Sequence, residues 1–132
     1  MKEHYKCPNC RKNLNIGNSI VLLVRKNKTE RGIIHLHTEL GNYTTETSSD
    51  FDVKDGDHVC FMCPVCHFDI SIKKNNKLAR LIRIDKYGDE TTIIISGIMG
   101  EKCTYEIKNR KVIMSYGEQM YKYTNPEWYL DI

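Results

Sequence analysis

The sequence predicts a mainly β protein of antiparallel strands, and three observations carry that expectation. Short β-branched and apolar runs such as "SIVLLVRK" and "TTIIIS" are separated by polar turns rich in Asn, Asp and Gly. No heptad, solenoid period or low-complexity segment runs through the chain. A Cys-Pro-x-Cys turn occurs twice, in "YKCPNCRKNL" (5–14) and in "FMCPVCHFDI" (61–70).

Taken in order, "SIVLLVRK" (19–26) and "RGIIHLHTEL" (31–40) flank the polar turn "NKTE" and form a hairpin. "GNYTTETSSD" (41–50) has no burial pattern and is expected as a loop. "FDVKDGDHVCFM" (51–62) predicts two short strands around Asp55-Gly56, a dipeptide favoured in tight turns. In "ISIKKNNKLARLIRID" (70–85) a helical period through Leu78, Leu81 and Ile82 competes with a strand. The isoleucines, and the turn "DKYGDE" before "TTIIIS", favour the strand and a hairpin. "CTYEI" and "KVIMSYG", split by "KNRK", supply another hairpin, and "YTNPEWYL" closes as a loop or a single helical turn starting at Pro126.

The two cysteine turns match beyond their cysteines. Tyr5 stands with Phe61, Cys7 with Cys63, Pro8 with Pro64, Cys10 with Cys66, and Leu14 with Ile70. Two residues between cysteines let a tight turn aim both sulfurs at one point, and the proline presets φ for it. Two such turns supply four thiolates, the closed tetrahedral set of structural zinc, so Cys7, Cys10, Cys63 and Cys66 are the expected ligands of one Zn2+ per chain. Cys60 has no counterpart, since His4 occupies the equivalent position. It and Cys103 are expected as small buried hydrophobes.

These paired turns resemble the zinc-ribbon family, in which each knuckle sits at the end of a β-hairpin. The resemblance is confined to the knuckle segments and the strands leading into them. It implies a ribbon with an enlarged antiparallel sheet, because 52 residues separate Cys10 from Cys63, followed by a C-terminal β-meander. The expected division is 1–74 for the ribbon with inserted hairpins and 75–132 for the meander, packed together as one unit. Arg11 and His67 stand where a glycine often follows the second cysteine of a knuckle. Two rivals stay open: rubredoxin-like knuckles holding iron for electron transfer, and an iron–sulfur site on Cys60, Cys63 and Cys66, which falls short of the usual four cysteines.

The chain of 132 residues fits one domain or two very small ones. Its N-terminus lacks the apolar stretch of a secretory signal, and its longest apolar runs are too short to span a bilayer. A cytoplasmic protein without membrane contact is expected, in which six cysteines stay reduced and CxxC pairs serve metal or redox chemistry. The net charge of +3 is too small to imply nucleic-acid binding, and four thiolates around Zn2+ lower it further. Its distribution is uneven: residues 73–86 carry six basic side chains against one acidic. Lys73, Lys74, Lys77 and Arg80 are the candidate nucleic-acid contacts, with Arg83 and Lys86 beyond them. Lys2, Lys6, Arg11 and Lys12 flank the first knuckle, and Tyr5, Phe61 and Phe68 offer stacking surfaces.

Other clusters point to less. His35 and His37 share one face of a strand without a third ligand, and His4 or His67 could replace a thiolate only if the repeat were incomplete. Asp50, Asp52, Asp55 and Asp57 lack the spacing of a calcium loop. Four thiolates leave a metal no open position for catalysis. The expectation is a non-enzymatic, structural-zinc protein acting as an interaction or regulatory adaptor whose partner is nucleic acid or protein. The alternatives are a protein–protein module without nucleic-acid contact and a rubredoxin-like or thiol redox protein.

Overall fold

Ile20, Leu22 and Val24 alternate with Val21, Leu23 and Arg25, and this period of two buries the first set and leaves the second half-exposed. That segment, β3 (Ser19–Arg25), is one of eleven strands in the computed structural model, which describes residues 3–27 and 29–130. The others are β1 (His4–Lys6), β2 (Asn15–Ile16), β4 (Arg31–His37), β5 (Thr45–Thr47), β6 (Cys60–Met62), β7 (Ser71–Ile72), β8 (Asn75–Ile84), β9 (Glu90–Ser96), β10 (Thr104–Lys108) and β11 (Lys111–Tyr116). A 3₁₀ helix over Pro126–Leu130 follows. The protein is mainly β, with every strand pair antiparallel.

The strands form two sheets. One runs β1-β8-β9-β10-β11 with β7 also on β8, and the other runs β2-β3-β4-β5 with β6 also on β3. They share one core, in which Leu22, Val24 and Ile34 of the second sheet meet Tyr5, Leu81 and Ile93 of the first. A second cluster, with Leu78, Ile94, Tyr105 and Ile107, lies under the C-terminal segment, where Tyr123, Tyr129 and Leu130 pack on it. β8 is therefore buried on both faces, Ala79 and Leu81 on one and Leu78 and Ile82 on the other. This double burial erases strand alternation and explains the helical period in its sequence.

The hairpins β3–β4, β8–β9 and β10–β11 form as the sequence predicts, and the meander β8-β9-β10-β11 is continuous. Asn109 and Arg110, both at positive φ (53° and 64°), turn β10 into β11. The tail forms the expected helical turn at Pro126.

Two expectations are corrected. The 41–50 segment is not all loop, because Thr45–Thr47 pairs with β4 as an exposed edge strand. Asp55-Gly56 does turn the chain, with Gly56 at φ 93°, but residues 51–54 form no strand. Their neighbours bond the 97–99 segment instead: Gly56 N–H donates to Met99 O (2.8 Å) and Val59 N–H to Gly97 O (2.8 Å). β6 pairs with β3.

The strands around the two knuckles exchange partners. β1 leads into the first knuckle and pairs with β8, which follows the second; β6 leads into the second and pairs with β3, which follows the first. The ten-residue likeness extends through most of the fold. Leu22 pairs Ile34 as Leu81 pairs Ile93, and Ile34 pairs Thr47 as Ile93 pairs Glu106. Val21 N–H bonds Leu14 O as Arg80 N–H bonds Ile70 O. The chain is two copies of one β-knuckle-β-β-β-β unit, with β11 and the C-terminal segment added. Asn15 pairs Ile20 where Ser71 pairs Ala79, so the second copy carries an extra bulge between Ser71 and Ile72. The 74/75 division falls in the β7–β8 turn, and β1 and β7 lie in the same sheet as the C-terminal strands.

Candidate metal centre

Each knuckle is a tight turn closed by the same bonds. Arg11 N–H donates to Cys7 O (2.9 Å) and Cys7 N–H to Lys12 O (3.2 Å) in the first. His67 N–H donates to Cys63 O (2.9 Å) and Cys63 N–H to Phe68 O (3.0 Å) in the second. Closing the turn needs a left-handed residue after the second cysteine, and Arg11 (φ 61°) and His67 (φ 63°) adopt it without being glycine. Leu14 N–H then bonds Tyr5 O, and Ile70 N–H bonds Phe61 O, returning each chain antiparallel to its entry.

The turns bring the four expected ligands together. The sulfurs of Cys7, Cys10, Cys63 and Cys66 all lie within 4.8 Å of one another, and the Cys7–Cys66 and Cys10–Cys63 separations are both 3.7 Å. A tetrahedral tetrathiolate ion with metal–sulfur bonds of about 2.3 Å needs sulfurs about 3.8 Å apart, so the set fits such an ion. No disulfide joins them. The residues present can hold a metal ion, and among the described residues this is the one such group.

Hydrogen bonds orient the sulfurs. Cys7 Sγ accepts from Asn9 N–H (3.3 Å) and Cys10 N–H (3.5 Å), and Cys63 Sγ accepts from Val65 N–H (3.3 Å) and Cys66 N–H (3.5 Å). Burial pushes the Cys7 thiol up to about 12 and also raises Cys63. Cys66 is exposed, and the Asn9 side-chain amide, followed by Phe68 N–H, brings it down to about 6. Asn9 Nδ2 lies 3.6 Å from Cys66 Sγ. Sequence reasoning missed this contact; its signal is the polar residue inside "CPNC" where the other knuckle has Val65.

The remaining candidates lie elsewhere. Cys60 is half-buried on β6, and Cys103 is buried, its thiol pushed up to about 12 by burial and then by Glu101. His35 and His37 share a face of β4, where His37 Nδ1 accepts from Glu39 N–H (3.0 Å). His4 and His67 are outside the ligand group. Of the acidic residues, Asp57 pairs with Lys26 (3.3 Å).

Lys73 and Lys74 are exposed in the β7–β8 turn, Lys77 is exposed on β8, and Arg80 is half-buried there. None forms an ion pair among the described residues. Arg83 differs: its side chain is 17% exposed and its guanidinium is held by Glu3 and Glu106, each at 3.2 Å. Arg11 is paired with Glu90, and Lys86 lies over the Tyr87 ring. Tyr5 and Phe61 are buried and present no stacking surface, whereas Phe68 is exposed. Lys2 lies outside the described residues. Among those described, no helix is long and apolar enough to cross a membrane. Compared with known protein families, curated proteins and solved structures, the chain matches none.

Proposed function

We propose that Cys7, Cys10, Cys63 and Cys66 hold one structural Zn2+ per chain, and that the protein is a non-enzymatic interaction or regulatory adaptor contacting nucleic acid. The observation that carries the metal reading is the convergence of four thiols from two matched turns at the spacing of a closed tetrahedral site. A closed site leaves no coordination position for substrate or water, which favours a structural role over a catalytic one. Metal analysis of protein purified without added metal should return near-equimolar zinc. Stoichiometric iron with a visible thiolate absorption would instead support the rubredoxin-like alternative.

The nucleic-acid reading is supported by Lys73, Lys74 and Lys77, exposed beside the second knuckle and without ion pairs among the described residues. Changing all three to alanine should weaken oligonucleotide binding and flatten its salt dependence by about 0.7–0.9 log units for each phosphate left unneutralised. Absence of wild-type binding even at low salt would sink this branch. A protein partner is then favoured by Val65 and Phe68, apolar side chains 57% and 36% exposed on the second knuckle beside Cys66.

A further inference from the structure

The core shared by the two sheets is hollow at one end. A cavity of about 330 Å³ opens there between the segments around Leu40 and Gly100. That volume lies within the range of small-molecule pockets, about 300–1,000 Å³. Equivalent residues of the two repeats both line it: Tyr5 and Phe61, Ile34 and Ile93, Leu36 and Ile95. Leu36 and Ile95 share the inward face of β4 and β9 with the buried Ile34 and Ile93, yet both are only half-buried. Both pack on the shared core and border the cavity.

We infer that this cavity is a binding site for a small, neutral, mostly apolar molecule, such as a medium-chain alcohol. Its aliphatic walls offer dispersion contacts, and several of its polar groups are already bonded to one another or to the backbone. Tyr5 OH donates to Thr38 O (2.7 Å), the Tyr43 and Thr104 hydroxyls bond each other (2.9 Å), and Ser96 Oγ donates to Glu101 Oε1 (2.7 Å). A polar ligand would lose its hydration without compensating bonds from these groups. Three carboxylates, Glu39, Asp55 and Glu101, line the cavity against one ammonium, Lys102, and this negative balance opposes an anionic ligand. At the packing density of protein interiors the space suits on the order of ten to fifteen non-hydrogen atoms.

The test is a titration of the metal-loaded full chain with the smaller neutral fluorophore 1-aminoanthracene, followed by displacement with 1-decanol and with decanoate. Saturable binding of one dye per chain is expected, displaced by decanol about tenfold more effectively than by decanoate. Filling the cavity by Ile95→Phe, or from the other sheet by Leu36→Trp, should weaken dye binding about tenfold. Trp128→Ser, which removes a 65% exposed side chain, should change it by less than about twofold. No saturable binding, equal displacement by decanoate, or unchanged binding in a folded cavity-filled variant would overturn the proposal. Methyl NMR of the unaltered protein supplies a readout independent of folding in the variants. Decanol should shift the Leu36, Ile95 and Met99 methyls; shifts confined to the exposed Val65, Ile113 and Met114 would refute an interior site.

Discussion

Replacing Cys63 by serine should collapse the fold, whereas replacing Cys60, only three residues earlier, should not. Cys63 is fully buried, its sulfur takes two backbone N–H bonds, and it lies 3.7 Å from Cys10 across the site. Structural zinc contributes about 10–16 kcal/mol in small metal-folded units, so an equal share per thiolate is about 2.5–4 kcal/mol. Cooperativity within a closed site makes that share a lower bound. A domain holds only about 5–15 kcal/mol in total, so Cys63→Ser removes a large fraction of it. Cys60 is half-buried and outside the ligand group, so Cys60→Ser should cost within about 1 kcal/mol. The assay is urea denaturation at fixed free zinc, since a bound ion stabilises by mass action, together with zinc per chain before unfolding. Cys66→Ser should fall between the two, because Cys66 is exposed and three thiolates remain to hold the ion. Equal zinc loss from Cys60→Ser and Cys63→Ser, or full zinc and stability in Cys63→Ser, would refute the assignment.

The left-handed knuckle residue gives a change of opposite sign. His67→Gly removes the steric cost of a side chain at φ 63° and should stabilise the metal-loaded protein by about 0.5–1 kcal/mol in the same urea assay, after the flexibility of glycine in the unfolded chain is offset. Glu101, 6% exposed, accepts hydrogen bonds from Ser96, Tyr123 and Lys122 and ties the C-terminal segment to the first sheet. Glu101→Ala should cost about 2–3 kcal/mol at neutral pH, because buried donors lose their acceptor. Burial pushes the Glu101 carboxyl up, but the bonds from Lys122, Tyr123 and Ser96 outweigh it and hold it below the usual glutamate range. Its stabilising contribution is thus present above the unfolded value and lost as pH falls through the lower folded value. The stability gap between wild type and Glu101→Ala should close over that acid interval; a gap independent of pH would show that the carboxylate charge contributes nothing.

What the sequence discloses follows from how local each cause is. The ligand set is legible because a knuckle needs its cysteines and proline within four residues. The β3–β4, β8–β9 and β10–β11 hairpins are legible because adjacent strands and turn residues specify them. β5 is not, since all three of its residues are exposed and leave no burial signal. The partner of β6 is not legible either, because Asp55-Gly56 marks a turn without saying what bonds across it. The longer repeat is hidden by divergence at its core, where Ile20 answers to Ala79 and Val24 to Arg83, and by the extra bulge before β8. Asn9 reaches its sulfur only because the two knuckles, far apart in sequence, face each other.

The partner exchange around the knuckles gives a metal ion held by the four cysteines a specific structural task. β1 and β6 are three-residue strands, too short to hold a sheet edge by their own ladder bonds. Each nevertheless joins the sheet seeded by the other repeat, β1 on β8 and β6 on β3. Without a cross-link, fraying of either would separate a knuckle from its sheet and expose Tyr5 or Phe61, both buried in the shared core. Four thiolates on one ion would tie the ends of β1 and β6 together, so that neither could leave its sheet unless the other moved or a metal bond broke. An ion held there would therefore act on the junction between the sheets, where each joining ladder is only three residues long.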